Sequence, residues 1–140
     1  MSLIFLSYAV SDDLFVSRLA GDLKALGYEI WEDCISTPPD QTLLERLHSV
    51  KRRIDSIILI FSSSSKSGTA AVSDWNDVII DEAIHGRNWL IPIWVQNSDL
   101  PRHIFPSSVE DFREPSAYSS AFQKLVSRIN STLVIKENSN

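Results

Sequence analysis

The stretch Ser56-Ile57-Ile58-Leu59-Ile60-Phe61 decides the fold, because it is the most strongly apolar segment of the chain. A short, continuous apolar run of this kind is typical of a parallel strand that is covered on both faces. It therefore predicts the central strand of a buried sheet, and the segments on either side are interpreted around it.

Strand-like and helix-like patterns alternate along the rest of the chain. With the central strand included, the predicted strands are 3–7, 28–31, 56–61, 89–95 and 109–112. Three predicted helices follow caps at Ser11, Asp40 and Ser73, and a last helix carries an apolar stripe from Tyr118 to Ile129. The connections are long enough for parallel crossovers. We therefore expect a flavodoxin-like doubly wound α/β sheet of about five parallel strands with helices on both faces.

Two residues mark special backbone positions within this pattern. Gly27 stands where a C-terminal glycine is expected after the first helix. Pro92 interrupts the predicted fourth strand and lacks a backbone N–H. Its presence predicts either a bulge or a hydrogen-bonding position that the sheet does not use.

The composition is that of one ordinary globular domain of 140 residues, with 44% hydrophobic residues and a net charge of −5. The acidic balance argues against binding of a nucleic-acid backbone as the main function. No apolar run approaches the length of a membrane span. The single cysteine, Cys34, cannot form an internal disulfide, and the three histidines have no zinc spacing. We expect a cytoplasmic domain at 1–135 and a disordered tail at 136–140, without a metal, a membrane or direct nucleic-acid contact.

Several familiar nucleotide and catalytic motifs are missing. The positions of the four glycines allow neither G-x-G-x-x-G nor G-x-x-x-x-G-K-[ST], and no G-x-S-x-G exists. A phospho-acceptor receiver domain shares the predicted architecture, and Asp12-Asp13 could imitate its acidic pair. However, Phe61-Ser62-Ser63 stands where such a domain needs an aspartate. Ligands of doubly wound sheets bind at the carboxyl ends of strands, which predicts a site within 7–11, 31–39 and 62–75.

Four short blocks follow one another along most of the chain. The first is Ile4-Phe5-Leu6-Ser7-Tyr8-Ala9, and the second is Leu26-Gly27-Tyr28-Glu29-Ile30-Trp31-Glu32-Asp33. The third is the apolar strand that ends in serines, and the fourth is Ser73-Asp74-Trp75 followed by Ile91-Pro92-Ile93. In this order and spacing they resemble the Toll/interleukin-1 receptor (TIR) domain family, with an unrelated flavodoxin-like domain as the alternative. The family patterns are F-I-S-Y, L-x-x-x-G-[YF]-x-[VI]-W-x-D, and S-x-W followed by [IV]-P-[VI].

The resemblance implies one of two functions. Some members of the family look like enzymes that cleave the nicotinamide–ribose bond of NAD+, and others are non-catalytic modules that assemble through TIR–TIR contacts. We favour an NAD+ glycohydrolase (NADase) of the bacterial immune-effector type, activated by self-association, with NAD+ as substrate and no cofactor. A non-catalytic signalling or scaffold module, associating through the loop at 34–40, remains the alternative.

The catalytic acid of the family has no direct counterpart here. The family places a glutamate one helical turn after the S-x-W tryptophan, and this chain has Ile79 there. Two turns along, Glu82 lies about 20° from the direction of Trp75, whereas Asp81 points about 120° away. We therefore favour Glu82 as the catalytic residue over Asp81, and the absence of any catalytic acid is the third possibility. A carboxylate suits the reaction because it stabilises an oxocarbenium-like ribosyl centre.

The resemblance places further residues at the nucleotide cleft: Ser7, Tyr8, Ala9, Asp33 and Trp75. Ala9 stands where some enzymes of the family carry an arginine, which predicts weaker phosphate contacts. Trp75 is expected either to stack on a base or nicotinamide or to pack in the core. For Trp31 we favour core packing over a role as a stacking platform.

Overall fold

A computed structural model of the chain describes residues 3–9, 12–35, 54–62, 90–95 and 109–138. For Ala9, 33–35 and 132–138 it describes the backbone only. The second and third predicted helices lie outside the described residues, apart from Ile54. The predicted cap at Ser11 also lies outside them.

The described strands form one five-stranded sheet in which every pair is parallel. The strands are β1 (Leu3–Ala9), β2 (Glu29–Ile35), β3 (Ser56–Phe61), β4 (Leu90–Trp94) and β5 (Glu110–Asp111). Their order is β2-β1-β3-β4-β5, so β1, β3 and β4 are internal and β2 and β5 are outermost. The prediction of a flavodoxin-like α/β fold is confirmed.

Two α-helices belong to the described part of the chain, α1 (Asp13–Ala25) and α2 (Tyr118–Asn138), with a short 3-10 turn at Pro115–Ala117 before α2. The backbone of α2 continues to Asn138, three residues into the segment predicted to be a disordered tail. Lys136 and Glu137 favour helical backbone, and neither glycine nor proline interrupts the helix before Asn138.

Both helices pack on one face of the sheet. Alternate residues of β1 point toward them, as expected from the two-residue period of a strand. The shared core contains Ile4, Leu6, Tyr8, Val16, Leu19, Ala20, Leu23, Ile58, Ile60, Ile91, Ile93, Phe112, Tyr118, Ala121, Leu125 and Ile129. The hydroxyl of Tyr118 also donates to Asp22 of α1 over 2.7 Å, which joins the two helices.

The opposite face of the sheet is buried as well. Leu3 and Phe5 of β1 are buried there, and so are the alternate residues of β3, Ile57, Leu59 and Phe61. Every residue of β3 is buried, which confirms the prediction that its continuous apolar run is covered on both faces.

The second strand is longer than predicted. We expected a strand at 28–31 and a loop starting at Glu32, whereas β2 runs to Ile35. The reason is pairing: β1 extends to Ala9 and aligns with β2 over its whole length, from Leu3 beside Glu29 to Ala9 beside Ile35. Because β2 is the outermost strand, it can carry the exposed carboxylate of Glu32 within the ladder.

Pro92 occupies a position at which its missing N–H is not needed. The carbonyl of Trp94 faces β5 and accepts from the backbone N–H of Phe112 over 2.8 Å. Backbone groups two residues apart point to the same side of a strand, so the nitrogen of Pro92 also faces β5. The pairing with β5 begins only at Ile93, and the register with β3 continues through Leu59 beside Pro92. Pro92 therefore fills an unused position and makes no bulge.

The end of α1 depends on Gly27. Its φ is +97°, in the left-handed region. The N–H of Gly27 donates to the carbonyl of Lys24, and that of Tyr28 donates to the carbonyl of Leu23. These two bonds form a Schellman motif, which terminates the helix and confirms the predicted C-terminal glycine.

Gly27→Ala is expected to lower the free energy of unfolding by about 1 kcal/mol, because a Cβ is strained at this φ. The matched control is Gly21→Ala, which lies in the interior of α1 with no atom within 4 Å of an added Cβ. This control is expected to raise the free energy of unfolding by about 0.5 to 1 kcal/mol. Urea denaturation measures both variants, and a shift of the same sign in the two would contradict the assignment.

Candidate functional site

The strand order reverses between β1 and β3. From β1 the chain passes to β2 on one side, whereas β3 and β4 lie on the other. In doubly wound sheets, ligands bind outside the carboxyl ends of the strands at such a reversal. We call this place, at the carboxyl ends of β1 and β3, the switch point.

A buried hydrogen bond spans the switch point. The hydroxyl of Ser62, directly after β3, donates to a carboxylate oxygen of Asp12 over 2.6 Å. The two residues are 50 positions apart in the chain. Ser62 is completely buried and Asp12 is only 6% exposed. A short bond to a carboxylate in such surroundings is stronger than one between neutral groups.

The carboxylate of Asp12 lies in an unfavourable environment for its charge. Burial raises the pKa of Asp12 above the ordinary aspartate value, and the hydrogen bond from Ser62 offsets part of this effect. Asp12 occupies the N-cap position of α1, but its side chain makes no capping hydrogen bond to the helix. Asp13, in the first turn, is exposed. Two acidic residues thus stand at the amino end of α1, where the helix dipole favours negative charge.

The predicted cleft residues lie toward the carboxyl end of β1, and the side chains of Ser7 and Tyr8 point to opposite faces of the sheet. The side chain of Ser7 is completely buried. That of Tyr8, 5% exposed, belongs to the core shared with α1 and α2. Ala9 is the last residue of β1 and pairs with Ile35. Contact between these residues and a nucleotide stays a prediction.

The remaining predicted site residues are only partly described. The backbone of Asp33 aligns with Ser7, within β2 and not in the loop that we expected. Trp75, Asp81 and Glu82 lie outside the described residues, so their roles stay predictions.

Trp31 is not a core residue. Its side chain is 47% exposed, and the interpretation as core packing is wrong. The cause is its place in the sheet: β2 is the outermost strand, so Trp31 has a neighbouring strand, β1, on one side only within the described sheet. The apolar pair Ile30-Trp31 does not by itself show on which sides its strand has neighbours.

A second polar group lies at the carboxyl ends of β4 and β5. The guanidinium of Arg113 stacks over the ring of Trp94, 3.7 Å from its centroid. It also binds Asp111 through a 2.8 Å ion pair, and this hydrogen bonding lowers the pKa of Asp111. The arrangement holds the chain against the sheet where β5 ends.

The profile of the TIR domain family matches residues 4–126, which is most of the chain. The chain belongs to the TIR domain family. A search of curated proteins found no match.

One solved structure similar to this TIR domain contains the TIR domains of the activated Roq1 resistosome directly recognizing the pathogen effector XopQ. The two chains share 16% sequence identity, with a TM-score of 0.48. The match covers 100% of this chain and 86% of the other.

Sequence reasoning missed the main polar contact of this TIR domain. It considered Asp12 only as part of the acidic pair Asp12-Asp13, and Ser62 only as the first residue of a candidate ligand segment. A signal was available, because each residue comes shortly after a predicted strand. What was lacking is the strand order, since only adjacency of β1 and β3 brings the two side chains together.

Within the described part of the TIR domain, no group of three or more His, Cys, Asp or Glu side chains is arranged to hold a metal ion. Among the same residues, no helix has both the length and the apolar character needed to cross a membrane.

Asp12→Asn is expected to raise the free energy of unfolding at pH 7, because asparagine keeps an oxygen that accepts from Ser62 and carries no buried charge. The pKa of Asp12 is raised in the folded state. The folded state therefore binds the proton more tightly than the unfolded state. Tighter proton binding stabilises the folded state. This stabilisation is fully present below pH 3.8, the ordinary pKa of aspartate, and it is lost as the pH rises through the raised pKa of Asp12. The advantage of the variant should therefore shrink toward acidic pH.

Urea denaturation between pH 3 and pH 7 measures this difference. The control is Asp13→Asn, which removes an exposed charge from the same helix end. It is expected to lower the free energy of unfolding by about 0.5 kcal/mol at pH 7, because the helix dipole loses a favourable partner. A wild type more stable than Asp12→Asn at pH 7 would show that the buried charge does not destabilise the fold.

Proposed function

We propose that this TIR domain is an NAD+ glycohydrolase, acting in the cytoplasm as an immune or defence effector that self-association activates. Membership of the TIR family supports the proposal. The observation that carries it is the switch point, where the reversal of strand order coincides with a buried carboxylate, Asp12, bonded to Ser62. Buried acids with raised pKa values are common at functional sites of enzymes.

The proposed reaction breaks the bond between C1′ of the ribose and the nicotinamide nitrogen. The bonding electron pair leaves with nicotinamide, which departs as a neutral molecule, and positive charge develops on the ribosyl centre. The carboxylate of Glu82 would stabilise this charge. Water then adds to C1′ and loses a proton, giving ADP-ribose; capture by a hydroxyl or ring nitrogen of the same molecule would give a cyclised product.

A non-catalytic module is the second candidate. It is favoured by Ile79, which stands where the enzymes of the family carry their glutamate. It is also favoured by the exposed indole of Trp31, since tryptophan is enriched at protein interfaces relative to the rest of the surface. Trp31 lies on β2, the strand that leads into the predicted association loop at 34–40.

Nicotinamide release from NAD+ tests the enzyme, with the purified domain at high concentration or with a crowding agent. Glu82→Gln is expected to lower the rate at least about 100-fold, because the amide cannot provide a negative charge. The matched control, Asp81→Asn, should retain the wild-type rate. Release that survives in Glu82→Gln, or loss in Asp81→Asn alone, would assign the reaction to a different acid. If the wild type releases no nicotinamide under assembling conditions, the proposal that the domain is an NAD+ glycohydrolase is wrong.

Self-association tests the second candidate. A bulky charged substitution in the predicted loop, Thr37→Arg, is expected to abolish concentration-dependent assembly in sedimentation velocity, and Glu82→Gln to leave it unchanged. Assembly that persists in Thr37→Arg would exclude this loop as the contact.

A further inference from the structure

The two central strands are joined by side chains at both ends. At their amino ends, Asp55 accepts from the backbone N–H of Leu3 over 2.9 Å, and its own N–H donates to the carbonyl of Leu3 over 2.9 Å. At the carboxyl ends, Ser62 donates to Asp12. Asp55 and Ser62 thus stand just outside the two ends of β3 and bind β1 or the residues that follow it.

The two connections differ in their position relative to the ligand edge. The Asp55 connection lies at the edge of the sheet opposite the switch point, where doubly wound sheets do not bind ligands. The Asp12–Ser62 bond crosses the switch point itself. It links the start of α1 with the residue from which the chain leaves β3.

Burial of the carboxylate at position 12 costs stability, and its bond from Ser62 offsets only part of that cost. Its charge is buried, and an asparagine could accept from Ser62 at no desolvation cost for a charge. A group that costs stability where ligands bind is a candidate for a functional role.

We propose that the Asp12–Ser62 pair is a positioning element that holds the two chain segments leaving the switch point at a fixed separation and thereby positions NAD+. This inference rests on the proposed function. Both side chains are buried, so the pair acts on the segments that it joins and need not touch the substrate. Because a bond of 2.6 Å fixes the distance between these segments, its loss allows them to move apart. Displacements of about 1 Å at a reacting centre can lower rates by about 100-fold.

Steady-state kinetics of nicotinamide release test the proposal at a temperature well below the melting temperature of each variant. Ser62→Ala removes the donor and is expected to raise KM or lower kcat, with a combined loss in kcat/KM on the order of tenfold. Ser62→Thr keeps a hydroxyl donor and should restore most of kcat/KM. Asp55→Ala is the matched control, because it removes a side-chain bond between the same two strands at the opposite edge.

The Asp55→Ala control distinguishes a loss of substrate positioning from a loss of fold stability. Asp55→Ala is expected to lower the melting temperature and leave kcat/KM within about twofold of the wild type. If Ser62→Ala also lowers only the melting temperature, or if Ser62→Thr is no better than Ser62→Ala, the pair is structural and the proposal is wrong. Should Ser62→Ala fail to fold, Asp12→Ala provides a second variant that removes the acceptor, and the same loss in kcat/KM is expected.

If the wild type releases no nicotinamide, the proposed function is wrong, but the positioning role of the pair can still be tested. Amide hydrogen exchange without substrate provides that test. Ser62→Ala is then expected to increase exchange in two peptides, one covering 7–14 and one beginning at 61. Exchange in α2 should not change. Unchanged exchange in both peptides, or a uniform increase along the chain, would overturn the positioning role.

Discussion

Burial of β3 on both faces is the constraint on which the rest of the structure depends. Its six residues are all buried, with β1 and β4 beside it in the same sheet. A strand in this position must satisfy its backbone groups through neighbours on both sides. The parallel neighbours require long crossovers, and the strand order in this sheet is β2-β1-β3-β4-β5.

That strand order creates the polar site of this TIR domain. Because β1 and β3 are adjacent while their outgoing connections diverge, residues far apart in the chain meet at their carboxyl ends. Asp12 and Ser62 form a buried bond there, and the burial raises the pKa of the carboxyl group. The fold thus holds a charged group in apolar surroundings at the edge where ligands of related architectures bind.

The two candidate functions depend on different parts of the molecule. Cleavage of NAD+ needs an acid close to the switch point, and Glu82 is the residue that the helical spacing favours. Assembly needs an accessible surface, and the exposed indole of Trp31 on the outermost strand provides part of one.

The sequence by itself determined the features that arise from local patterns. The apolar run of β3 matches its strand, Gly27 adopts the left-handed backbone that terminates α1, and the four blocks correctly indicated the family. Tertiary structure alone decided the exposure of Trp31, the length of β2 and the Asp12–Ser62 bond. Each of these depends on which strands are neighbours, and adjacency is a long-range property that local periodicity does not contain.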